Sequence, residues 1–215
     1  MKRHLPFAII AAVLVIAFGA GALMFRSART RTSTTTLPSA VPTSSPAAAG
    51  SGAIVTIEEF GDYQCPPCGT LHPVLKQLKG EYGNRVRFVF YQFPLTQVHK
   101  HALDAAHTAV AAGIQGRFWE MHDLLYETQK VWSEAADLRP ISTNFARQLG
   151  LDVERFVRDR DGARAEFAVS SDVQRGLSLG VTGTPTLFID GQEINSEKLT
   201  LDDLRKEINQ RLNVR

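Results

Sequence analysis

The stretch VTIEEFGDYQCPPC, residues 55–68, decides how this chain is read. It opens inside a short β-branched run, 53–60 (AIVTIEEF), bounded by Gly52 and Gly61, which has the composition of a strand. Gly61, Asp62, Tyr63 and Gln64 form a turn that delivers Cys65. Pro66 and Pro67 cannot sit inside a helix but suit its first turn, and Leu71, Val74, Leu75 and Leu78 then recur at helical spacing. Cys65 therefore stands at or just before a helix N-terminus. A second strand is expected over 85–93 (RVRFVFYQF), which gives strand, helix and strand within about forty residues, the pattern of a βαβ unit on a buried parallel sheet.

Downstream, residues 98–177 carry helix after helix, expected over 102–112, 117–129, 142–149 and a long stretch 153–179. Phe118, Trp119, Met121, Leu124 and Leu125 cover most of one helix circumference and belong to a core. His99 and His101 lie two residues apart, off a common helical face, and are expected to be solvated. Strand character returns at 186–190 (TLFID), where Asp190-Gly191 turns a hairpin into 192–195, and a helix over 200–212 closes the chain. The expected fold is a small α/β sheet interrupted by an all-helical insertion at about 98–177.

The 215 residues carry 24 Lys plus Arg against 22 Asp plus Glu, a balance that excludes a protein working by neutralising phosphates; no nucleic-acid partner is expected. All five basic residues among 1–52 (Lys2, Arg3, Arg26, Arg29, Arg31) lack acidic neighbours there, so the remainder is mildly acidic. Behind a basic end at 1–4, residues 5–25 are uncharged and mostly apolar. At 1.5 Å per residue they are long enough to cross about 30 Å of hydrocarbon. They read as a membrane anchor, with a cleavable signal at Ala20-Gly21-Ala22 as the alternative. Counting basic residues on the two flanks would narrowly keep the C-terminal domain in the cytoplasm. The opposite orientation is preferred because so early an apolar segment normally directs export, and because cysteine redox chemistry needs an oxidising compartment. Residues 26–52, rich in Ser, Thr, Pro and Ala, form a flexible tether for the domain at 53–215.

Only two cysteines are present, Cys65 and Cys68, which excludes a disulfide-stapled scaffold and a four-cysteine zinc site. Three residues apart at a helix start, the two thiols can face one side and close a small disulfide. The free N–H groups and positive end of the helix favour Cys65 as thiolate and nucleophile, leaving Cys68 as the resolving thiol. A zinc site on this pair would need two further ligands, with His72 the one nearby candidate. Covalent haem attachment would need His at 69, where Gly stands. A purely structural bridge over so short a loop would constrain the unfolded chain little.

VTIEEFGDYQCPPC at 55–68, HALDAAHTAVAAGIQGRFWEMHDLLY at 101–126 and GVTGTPTLFID at 180–190 together resemble the DsbA-like branch of the thioredoxin superfamily. The resemblance implies a thioredoxin fold with a helical insertion and disulfide exchange with exported proteins. It implies that the Thr184–Pro185 bond is cis and faces the cysteine pair, with Thr184 and Pro185 binding an extended substrate. It also implies that Glu59 is a buried acid exchanging protons with Cys68. A carboxyl in an apolar site has a raised pKa and suits that task, the alternative being a solvated edge-strand glutamate. Three residues are candidates for tuning the pair: Pro66 and Pro67, which carry no charge and no N–H, and His72, which shares the helical face of the cysteines and could act on the thiolate as a cation, the alternative being a packing or surface role.

These features predict an exported, membrane-tethered thiol-disulfide oxidoreductase that donates its disulfide to folding proteins with free thiols. No cofactor beyond the redox pair is expected. The resemblance implies re-oxidation by a membrane protein of the DsbB-like or vitamin K epoxide reductase-like kind, or a reductant if electrons flow the other way. The alternatives are a reductase or isomerase and, from another class, a non-catalytic peptide- or metal-binding module.

Overall fold

The computed structural model describes residues 55–213. The expected basic end, apolar segment 5–25 and tether 26–52 lie outside the described residues, as do 53 and 54 of the first strand. Among the described residues no helix is long and apolar enough to cross a membrane.

Four strands form the sheet: β1 (Val55–Gly61), β2 (Val86–Gln92), β3 (Thr186–Ile189) and β4 (Gln192–Ile194), in the spatial order β2-β1-β3-β4. β1 pairs parallel with β2, from Val55 opposite Val86 to Gly61 opposite Gln92, and antiparallel with β3, with Glu59 opposite Leu187. The expected βαβ unit is therefore present, its crossover being helix α1 (Pro66–Tyr82). At the hairpin between β3 and β4, Asp190 and Gly191 take φ of 51° and 77°, the left-handed pair that a tight two-residue turn requires.

Between β2 and β3 lies the helical insertion: α2 (Ala102–Ile114), α3 (Phe118–Glu127), α4 (Gln129–Trp132), α5 (Arg139–Gln148), α6 (Val153–Arg160) and α7 (Ala163–Ser178). The stretch expected as one long helix over 153–179 is two, because Asp161 and Gly162 interrupt it. A Cβ at 162 would come within 2.7 Å of the Arg158 carbonyl oxygen. α5 starts earlier than expected, Pro140 serving its first turn. Helix α8 (Leu201–Asn213) ends the fold.

Alternation along β1 sorts the core. Val55 and Ile57 join Leu71, Leu75 and Leu78 of α1 and Leu204 and Ile208 of α8 on one face; Phe60 packs with Phe93, Val181 and Phe188 on the other. A fully buried side chain such as Leu78 stabilises the fold by about 1.5–3 kcal/mol. Glu59 continues the Val55–Ile57 face, while Glu58 points the opposite way to Arg175, 2.7 Å away. A third cluster joins the insertion to the cysteine helix: Met121, Leu125, Tyr126 and Trp132 pack with Tyr63, Phe90 and both cysteines.

Candidate functional site

β1 ends at Gly61, where no side chain fits: a Cβ would stand 2.4 Å from the Phe90 ring. The chain then turns around the buried Asp62 carboxylate, which accepts from the N–H of Gln64 (2.7 Å) and of Leu95 (2.9 Å) and pairs with His99 Nδ1 (2.7 Å). The Cys65 N–H donates to the Asp62 carbonyl at 3.1 Å, which seats Cys65 at the N-cap of α1. Pro66 and Pro67 occupy the exposed first turn as expected, and Cys68 follows on the buried face.

The two thiols meet different surroundings. Cys68 is fully buried, and burial above all, then its hydrogen bond to Cys65 and the neighbouring Glu59 charge, pushes its pKa far up. Cys65 keeps 4% of its surface open, and its pKa is lowered to about 6. The largest cause is the Cys68 sulfhydryl donating to the Cys65 sulfur, followed by donation from Thr184 and the Cys68 backbone; burial opposes them. The Thr184 hydroxyl is buried and makes no hydrogen bond while Cys65 is a thiol, so it is free to donate once the thiolate forms. As a thiol, Cys65 donates in turn to the Thr184 carbonyl at 3.3 Å. The Thr184–Pro185 bond is cis and lies across from the pair, as the resemblance implied.

Glu59 is 5% exposed in the central strand, which removes the edge-strand reading. Burial, reinforced by Cys65, raises its pKa to about 8, so the carboxyl is protonated at neutral pH, and its Oε1 has no hydrogen-bond partner. The structure thus brings Cys65, Cys68, Glu59, Thr184 and Pro185 into one site.

His72 is a correction. It does lie on the cysteine face of α1, but it is 6% exposed, stacked on Tyr126 at 5.1 Å and set edge-on to His122 at 5.2 Å. Burial lowers its pKa, so it is a neutral imidazole and does not act on the thiolate as a cation. The expected solvation of His99 and His101 is a second correction. His99 pairs with Asp62, and His101 is buried with its Nε2 at 2.9 Å from the Ala135 carbonyl. Side-chain spacing along one helix could not reveal partners in distant segments.

Sequence reasoning missed the polar frame of the site. The Gln129 amide donates to the carbonyls of Tyr63 (2.7 Å) and Cys65 (2.9 Å), tying the insertion to the active turn. Gly69 leaves room for it, since a Cβ there would stand 2.5 Å from Gln129 Oε1. Gln64 accepts from the His101 N–H at 2.7 Å and donates to the Ser133 carbonyl at 3.3 Å. Asp62 was legible as a turn residue but not as a hub, because its partners Leu95 and His99 are about thirty-five positions away.

A dithiol with one favoured thiolate, a buried resolving thiol and a protonated acid beside it can carry out two-electron thiol-disulfide exchange. The thioredoxin family model matches residues 46–210. Among solved structures, oxidised BdbD from Bacillus subtilis is similar at 21% identity and a TM-score of 0.66, covering 77% of this chain and 91% of that one. The thiol-disulfide exchange protein alpha-DsbA2 from Wolbachia pipientis is similar at 20% identity and a TM-score of 0.64, covering 75% and 84%. The fold is thus that of DsbA-type thiol-disulfide oxidoreductases. Among curated proteins, the Na(+)/H(+) antiporter NhaA 1 of Salinispora arenicola is 40% identical over 139 residues, 64% of this chain. The chain spans about a fifth of the length of the curated relatives it matches.

Proposed function

The chain belongs to the thioredoxin family, and on that footing we propose that it is an exported thiol-disulfide oxidoreductase that donates the Cys65–Cys68 disulfide to folding proteins. The observation that carries this reading is the inequality of the two thiols, Cys65 favoured as thiolate and Cys68 held as thiol. A substrate thiolate attacks Sγ of Cys65 in the oxidised pair, forming a mixed disulfide and expelling Cys68 as thiolate. Buried Cys68 takes the proton of Glu59, which regains one from solvent. A second substrate thiolate attacks the substrate sulfur of the mixed disulfide, forming the substrate disulfide and expelling the stabilised Cys65 thiolate. Two electrons pass to the pair. Thr184 and Pro185 offer backbone to an extended substrate by strand addition.

Direction depends on potential. With two prolines between the cysteines, no side-chain charge or N–H from positions 66 and 67 supports the thiolate, so the pair is less oxidising than one carrying such a group. Relative to about −120 mV for a strong oxidant, loss of one charge-assisted hydrogen bond places the expected value between about −150 and −200 mV. The test is the equilibrium of the full chain with glutathione. A value in that range, raised by Pro67→His, supports donation; one below about −250 mV rejects it and favours a reductase.

Residues 5–25 would anchor the domain outside the cytoplasm, where a membrane re-oxidase of the DsbB-like or vitamin K epoxide reductase-like kind would restore the disulfide. Retention in membranes through a high-salt wash tests the anchor; recovery of a soluble chain starting near Leu23 would instead establish cleavage. Antiport, the activity in the name of the Salinispora relative, is not proposed for a chain that matches a fifth of that protein.

A further inference from the structure

Between α1 and α3 lies a cavity of about 300 Å³ whose walls include Glu59, His72, Lys76, Lys79, His122 and Asp123. We propose that it is a binding site for one divalent transition-metal ion of the zinc class, held by His72, His122 and Asp123, which bring two ring nitrogens and a carboxylate oxygen within 4.8 Å of one another. Two imidazoles and a carboxylate are a zinc donor set, and three protein ligands leave the fourth position to water from the cavity. Bonds of about 2.0–2.2 Å put tetrahedral ligands some 3.3 Å apart, so side-chain rotations must draw the three inward.

His72 points to a ligand independently of this grouping. It is 6% exposed, and its Nε2 has no hydrogen-bond partner while standing 3.5 Å from Asp123 Oδ1. Packing accounts for the ring, which stacks on Tyr126, but not for a polar atom left unmatched on a cavity wall. His122 is equally buried, with Nδ1 at 3.1 Å from the Tyr63 hydroxyl. With the proton on Nδ1 given to that hydroxyl, Nε2 is the ligating atom and Tyr63 the outer partner that orients it. Asp123 divides its oxygens, Oδ2 receiving Lys76 Nζ at 2.8 Å and Oδ1 facing His72. Lys76 also pairs with Glu127 at 2.7 Å, and Lys79 lies over the Trp119 ring at 3.8 Å, so each ammonium has a partner besides the three ligands. The site uses neither cysteine, and its existence is independent of the direction of disulfide exchange.

The test uses the full chain, freed of metal by a chelator and with Cys65–Cys68 held oxidised so that thiolates cannot bind. Titration with zinc chloride should show one ion per chain with a dissociation constant of about 10 μM or tighter, and an unfolding temperature that rises with zinc. Cobalt(II) should give four-coordinate visible bands without sulfur charge transfer. His72→Gln should abolish binding and Asp123→Asn should weaken it at least about tenfold. Because Asp123 is one-third exposed, the asparagine variant is expected to keep the parent unfolding temperature without zinc, which separates lost binding from lost folding. Absence of binding at about 1 mM zinc, or binding unchanged in both variants, overturns the site.

Discussion

The Cys65 thiolate should respond to the chemistry of position 68 rather than to helix position alone. The leading cause of its lowered pKa is donation from the Cys68 sulfhydryl, so Cys68→Ala removes the donor while Cys68→Ser keeps an O–H in its place. A hydrogen bond to a charged acceptor is worth about 1.5–3 kcal/mol, and one pKa unit is about 1.36 kcal/mol. The alanine variant should therefore titrate about one to two units above the parent midpoint near 6, and the serine variant within about half a unit of it. At pH 7 the thiolate fraction would fall from about nine-tenths in the reduced parent to between roughly 6% and 45% in the alanine variant. Absorbance at 240 nm and the pH profile of iodoacetamide alkylation report the same titration by independent routes. Alanine and serine variants sharing one midpoint near 6 would refute the assignment to Cys68 and pass the shift to the helix N-terminus and Thr184.

The lowered Cys65 pKa also ties stability to pH. It stabilises the folded reduced form above pH 6, by about 1 kcal/mol at pH 7 against a thiol of pKa 9.0, and the gain is complete only above pH 9. Glu59 acts in the opposite sense: its carboxyl is raised from 4.5 to about 8, so its contribution to the stability of the reduced protein should fall by about 3 kcal/mol from below pH 4.5 to pH 7 and continue falling to pH 8. Urea unfolding of Glu59→Gln should lack this slope, and parallel pH curves for variant and parent would remove Glu59 from its buried, protonated state. Cys65→Ser should abolish exchange with a reduced substrate, whereas Cys68→Ser should accumulate mixed disulfides visible on non-reducing gels; exchanged phenotypes would reverse the two roles. Gly61→Ala forces a Cβ against Phe90 and should cost about 1–3 kcal/mol, read as a lower denaturant midpoint.

Much of the fold was legible because its determinants are local. The β-branched run before Gly61, the proline-started helix and the Asp190-Gly191 turn each depend on residues a few positions apart, and the structure forms them within a residue or two of the expected bounds. The break at Asp161 and Gly162 is also written locally, but apolar periodicity that continues through it masks the signal. The cysteines were legible for the same reason: a spacing of three at a helix start brings two sulfurs together whatever surrounds them.

Environment was not legible. Whether Glu59 is solvated or buried depends on the strands on either side of β1, and its pKa of about 8 results from that burial. The same six-residue offset from Cys65 on an edge strand would leave an ordinary carboxylate. His72 reads as a cation beside the thiols until α3 covers it and burial makes it neutral. His99, His101 and Gln129 gain their roles from backbone and carboxylate partners brought by turns in other segments. Local spacing therefore specifies where the reactive sulfur sits and which elements carry it. The charge states around it come from desolvation, which is a property of everything packed against a group, and so they arise only when the insertion closes over the sheet.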